Sequence, residues 1–182
     1  MTASQPQLRD KKIAILVTDG FEQIELTSPR DAVTKLGAEA DILSDKPGDV
    51  RGWHHTEPAD AFPVDNTFEK AQLDEYDALV LPGGVVNADH IRMSDAAISL
   101  IDAAAGAGKP IAVICHGAWL LISANVVKGK NITSYPSLKD DLENAGAHWL
   151  DEELVRDGNL ISSRKPDDLP AFNEALINAL AA

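Results

Sequence analysis

The stretch from Lys109 to Trp119, Lys-Pro-Ile-Ala-Val-Ile-Cys-His-Gly-Ala-Trp, constrains this chain more than any other. After the Lys-Pro pair, residues 111–115 form an unbroken apolar run, the pattern of a strand buried on both faces of a parallel sheet. Gly117 punctuates the run, and residues 118–127 continue as an apolar segment long enough for a helix. A strand that turns sharply into a helix lifts its junction residue, Cys115, out of the sheet. It also sets that residue at a helix N-terminus, where free N–H groups and the dipole favour a thiolate. Val113 stands where a nucleophile elbow usually carries glycine. The bland alternative is an inert thiol packed as a small hydrophobe. The strand-Cys-His-Gly context favours the reactive reading.

Composition sets the outer bounds. A chain of 182 residues with 45% hydrophobic content suits one domain, residues 1–182, that buries a core without staples. Residues 1–10 read as a polar N-terminal extension with no apolar signal core, and no window approaches a membrane-spanning helix. A single cysteine excludes an internal disulfide, and the expected localisation is cytoplasmic. The net charge of −13 repels phosphate backbones and anionic lipid. Nucleic acid and membranes are therefore not expected partners, whereas a small uncharged substrate is unaffected.

Along the chain, buried strands are predicted at residues 12–18, 40–43 and 76–81, with a short one at 132–135. Ser28-Pro29 marks a loosely bounded helix start, because Pro29 also fits the early turns of a helix begun before it. Gly37 ends that helix. Residues 45–68, broken by glycines and prolines, read as an irregular excursion with a small hairpin. Ser94 is placed as the cap of a helix ending at Gly106, and a further helix spans 137–145. Asp157-Gly158 signals a hairpin, and a last amphipathic helix begins near Asp167-Asp168. Strands alternating with helices give an α/β fold, a mainly parallel sheet covered on both faces.

In such sheets ligands bind beyond the carboxyl ends of the strands, where three polar loops gather: 19–25, 82–90 and 115–117. A cysteine has only a few per cent thiolate at neutral pH and needs help to ionise. Glu22 is the candidate helper, if protonated, since a neutral carboxyl donates to a thiolate while a carboxylate repels it. An exposed first-turn glutamate is its equally weighted alternative. Backbone N–H groups of Gly84 and of His116 or Gly117 are candidate oxyanion donors. His54, His55 and Glu57 lack further ligands and read as a solvated loop, and no metal or cofactor is expected.

Phe21-Glu22-x-x-Glu25-Leu26, Leu81-Pro82-Gly83-Gly84, Ile114-Cys115-His116-Gly117 and Ser162-Ser163-Arg164-x-Pro166-x-Asp168-Leu169 together resemble the PfpI family. That family lies in the superfamily of the parkinsonism-associated deglycase and the class I glutamine amidotransferase domains. The resemblance runs from about Lys12 to the C-terminus. It implies a flavodoxin-like three-layer sandwich, Cys115 as nucleophile, Glu22 as its acid partner, Gly84 as an oxyanion donor and His116 as base. In peptidase members the carboxylate orienting the histidine comes from a neighbouring subunit; its counterpart here is Asp89, one methylene shorter, in a loop one residue longer. The resemblance also implies a homodimer, with higher assemblies in some members.

The resulting expectation is a stress-response enzyme whose Cys115 attacks a small reactive carbonyl or its protein adduct, in the manner of a glyoxalase or deglycase. Peptide hydrolysis ranks below it, because expelling an amine requires a well-oriented His116. The non-catalytic alternative is a redox sensor or chaperone with an oxidisable Cys115.

Overall fold

The computed structural model describes residues 6–182. In chain order the elements are β1 (Lys12–Leu16), β2 (Phe21–Glu22), α1 (Gln23–Thr34), β3 (Glu39–Ser44), β4 (Asp49–His54), β5 (Glu57–Pro63) and β6 (Asn66–Thr67). They continue with β7 (Ala78–Leu81), α2 (Val85–Ile91), α3 (Asp95–Gly106), β8 (Ile111–Ile114), α4 (Ala118–Ser123), β9 (Asn131–Ile132) and α5 (Lys139–Asn144). The last are β10 (His148–Trp149), β11 (Val155–Asp157), β12 (Leu160–Ser163) and α6 (Leu169–Ala181).

Seven strands form the main sheet in the order β11-β12-β8-β7-β1-β3-β6, parallel except for the β11–β12 hairpin. Its central strands β7 and β8 are apolar throughout, and β1 is apolar after Lys12, because both faces are covered. Side chains alternate across the sheet, so Ala14, Leu79 and Val113 join a core beneath α3 and α4. Ile13, Val80, Ala112 and Ile114 join a second core with Leu26 and Val33 of α1 and Phe172 and Leu176 of α6. This is the expected three-layer α/β sandwich. Among the described residues no helix is long and apolar enough to cross a membrane.

Several boundaries differ from the sequence reading. Helix α1 starts at Gln23, not near Ser28, and carries Pro29 in its interior. The Ser28 hydroxyl is occupied by Asn173 of α6, whose Nδ2 donates to it at 2.8 Å, and so it caps nothing. Helix α4 stops at Ser123, because Asn125 takes a left-handed φ of +57°. Residues 45–68 are more regular than expected: β4 and β5 pair antiparallel, and β2 adds in parallel at Phe21–Gly52 and Glu22–Trp53. The late hairpin's two-residue loop is Gly158-Asn159, one position on, with Gly158 at φ +62°. Strand β10, which pairs with β9, was not expected.

The polar extension of residues 1–10 also needs correction. Residues 1–5 lie outside the described residues, while Leu8 is buried in the second core and its N–H donates to the Leu36 carbonyl at 2.8 Å. A single apolar side chain is enough to dock this otherwise polar segment.

Candidate active site

The site forms where β8 ends. Cys115 adopts φ +60°, a left-handed conformation that costs a non-glycine residue free energy and persists because the surrounding packing fixes it. A 3₁₀ turn over Cys115–Gly117 then leads into α4. The sharp junction lifts the thiol to the floor of an open cleft of about 470 Å³, lined by Glu22, Glu25, Gly84, His116, Tyr135 and Lys165 among others.

Glu25 is the carboxyl beside the thiol. It is fully buried, its Oε2 accepts the Gly83 N–H at 2.6 Å, and its Oε1 has no hydrogen-bond partner among the described residues. Burial is the largest influence on this group and raises its pKa from 4.5 to about 8, so it holds its proton at neutral pH. The approach is close: a Cβ on Gly83 would stand 2.6 Å from Glu25 Oε2 and 2.7 Å from Cys115 Cβ. Only glycine lets the carboxyl and the thiol meet here.

Glu22, the expected acid partner, sits elsewhere. It is the N-cap residue of α1 with extended backbone, and its Oε2 accepts the His55 N–H at 3.0 Å on the wall of the cleft. The physical reason is the earlier helix start: Glu25 becomes the third helical residue and turns inward, while Glu22 points to the β4–β5 hairpin. Glu25, Pro29 and Val33 recur at four-residue spacing and are all buried. A glutamate lying on that apolar stripe was the available signal.

Burial pushes the Cys115 thiol pKa up, and a charged Glu25 would push it further; N–H groups of His116 and Gly84 pull it down. A neutral carboxyl removes the repulsion. The His116 ring does face the sulfur, with Nδ1 at 3.2 Å from Sγ. It stacks on Tyr135, ring centres 4.7 Å apart, and meets the edge of Trp119 at 5.4 Å. Burial lowers its pKa, so the imidazole is neutral near pH 7.

Gly84 lies on the cleft at φ +91°, and its N–H favours the charged form of the thiol. Gly117 does not line the cleft. It packs under the end of β7, where a Cβ would stand 2.5 Å from the Leu81 carbonyl oxygen, so His116 rather than Gly117 supplies the second N–H. Asp89 is exposed and lines a neighbouring hollow with Val85, Val86, His90, Met93 and Trp119. It makes no hydrogen bond to His116 of its own chain. Tyr135, Lys165 and His55, brought to the cleft from distant segments, carried no local motif. Among the described residues no group of three or more His, Cys, Asp or Glu side chains could hold a metal ion.

The comparisons agree with this architecture. The DJ-1/PfpI family profile matches residues 11–179. Deglycase PH1704 of Pyrococcus horikoshii is 41% identical over 169 residues, covering 93% of this chain and 99% of its own. Protein/nucleic acid deglycase 2 of Escherichia coli is 39% identical over 94% of this chain and 99% of its own. Among solved structures, Drosophila melanogaster DJ-1beta superposes with a TM-score of 0.85 at 28% identity, covering 94% of this chain and 91% of that one. A two-domain protein of Anabaena variabilis with DJ-1/ThiJ/PfpI-like and ferritin-like domains gives a TM-score of 0.87 at 34% identity, over 93% of this chain and 50% of that one. The chain belongs to the DJ-1/PfpI family.

Proposed function

We propose that this protein is a cysteine-dependent, deglycase-like hydrolase that acts on small reactive carbonyls or their adducts with protein amines, a role suited to stress protection in the cytoplasm. The observation that carries the reading is the Cys115 junction: a strained, cleft-floor thiol beside a protonated buried carboxyl and a neutral imidazole. With a dicarbonyl, sulfur adds to the aldehyde carbon and the oxygen takes a proton, giving a thiohemiacetal. Transfer of the carbon-bound hydrogen to the adjacent carbonyl, as proton and electron pair in succession, oxidises the first carbon and reduces the second. The product is a thioester of a hydroxy acid. Water then cleaves the C–S bond, releasing the acid and restoring the thiol. His116 is placed to move these protons, and the N–H groups of Gly84 and His116 face the developing oxyanion. With an amine adduct, sulfur displaces the amine, which departs with a proton.

Small carbonyls rank above peptides because His116 is held by aromatic rings and by no carboxylate of its own chain among the described residues. Amine expulsion from an amide demands a better-oriented base. The assay is acid production from methylglyoxal, amine release from a methylglyoxal-treated arginine derivative, and cleavage of an unmodified peptide. Turnover of the first two with little peptide cleavage is expected; peptide cleavage alone would overturn the ranking.

A second copy of this chain is the proposed partner. Val85 and Val86, each 52% exposed, and Met93, 82% exposed, form an apolar surface beside Asp89 near the cleft. Docking there would bring a partner's carboxylate toward His116. Light scattering should show a dimer or larger assembly at micromolar concentration, and Asp89→Ala should lower what peptide cleavage the wild type shows. A strict monomer, or unchanged cleavage in an intact oligomer, would remove this part.

A further inference from the structure

Asn87 is a fully buried side chain that no motif singled out, and every polar atom of its amide is engaged. Its Oδ1 accepts the Thr18 N–H at 2.7 Å, where β1 gives way to the loop. Its Nδ2 donates to two successive carbonyls, Pro82 at 3.2 Å and Gly83 at 2.9 Å.

These two carbonyls belong to the peptide units that carry the Gly83 and Gly84 N–H groups. No peptide bond in the described chain is cis, so in each planar unit the C=O and N–H point in opposite directions. Holding the Pro82 oxygen on one side aims the Gly83 N–H the other way, at Glu25 Oε2, 2.6 Å distant. Holding the Gly83 oxygen turns the Gly84 N–H away from Asn87, toward the cleft side that Gly84 and Cys115 both line. Glycine pairs offer almost no resistance to peptide rotation, because neither residue has a Cβ. The Glu22 N–H also reaches the Gly83 oxygen, but at 3.3 Å, and among the described residues only Asn87 donates to the Pro82 oxygen.

We propose that Asn87 is a positioning residue that locks the Pro82–Gly83 and Gly83–Gly84 peptide planes, so that one side-chain amide aims both the acid's hydrogen-bond donor and the oxyanion donor. It touches neither substrate nor thiol. It acts through the glycine turn, tying that turn to the end of β1. The inference deepens the function proposed above, yet its test does not need the substrate.

Asn87→Asp keeps the acceptor for Thr18 and the volume while removing both amide donors. Asn87→Leu removes the donors without adding charge, and the Thr18 acceptor with them, and is used if the aspartate variant does not fold. The readout is the rate of Cys115 alkylation by iodoacetamide against pH, beside the thermal midpoint and the methylglyoxal kinetics. With both donors lost, alkylation at pH 7 should fall about five-fold or more and the pH profile should move up. In the turnover assay kcat should drop with KM within two-fold. A lowered midpoint with alkylation and its pH profile unchanged would overturn the proposal, leaving Asn87 a packing residue. Altered alkylation without methylglyoxal turnover in the parent protein would sustain the positioning role and discard the carbonyl chemistry instead.

Discussion

Cys115→Ser is expected to lower kcat for methylglyoxal and for its amine adducts by at least about a thousand-fold, with little change in thermal midpoint. Serine matches cysteine in shape and fits the same φ of +60° in a site that is 8% exposed, so the fold has no reason to change. Chemistry separates the two. A hydroxyl beside a neutral carboxyl and a weakened imidazole stays protonated, whereas a thiol ionises far more readily. Acid release measured in purified wild type and variant decides the matter. Substantial activity in Cys115→Ser would assign turnover to other groups.

Glu25 should govern how stability varies with pH. Its pKa rises from 4.5 in the unfolded chain to about 8 in the fold, because burial disfavours the charge. Between these values the folded protein keeps a proton that the unfolded chain releases. The contribution is therefore complete below pH 4.5 and fades as pH rises through 8, an upper bound on the order of 4–5 kcal/mol. Glu25→Gln cannot titrate and should lack this decline. Urea unfolding of both proteins from pH 5 to pH 9 should show the difference shifting toward the glutamine variant with increasing alkalinity. Parallel curves would mean that Glu25 is not the buried, protonated group described here.

Much of the fold was legible because its centre is made of continuous apolar strands. Residues 78–81 and 111–114 could be little else, and Ser94 does cap α3, accepting the Ala97 N–H at 3.3 Å. The three-stranded β2-β4-β5 sheet was less legible. Strand β5 is mostly exposed and holds two prolines, and β2 is two residues long, so pairing and not local preference creates them.

The site divides in the same way. Cys115, His116 and Gly84 could be read from local punctuation. Choosing between Glu22 and Glu25 required the start of α1, and Pro29 obscured it by resembling a helix opening. Asn87 could not be read at all, since its role rests on carbonyls several residues away and on the end of a strand 69 positions earlier.

The most direct test of the account is the ionisation of Cys115, followed by thiolate absorbance against pH in wild type, Glu25→Gln, Glu25→Leu and Glu22→Leu. If a protonated Glu25 donates to the thiolate, Glu25→Leu should raise the thiol pKa by about one to two units, the worth of one charge-assisted hydrogen bond. Glu25→Gln, which still donates, should shift it less, and Glu22→Leu should leave it in place. A lower pKa in Glu25→Leu would contradict the account, because it would show that Glu25 is a repelling anion when Cys115 ionises.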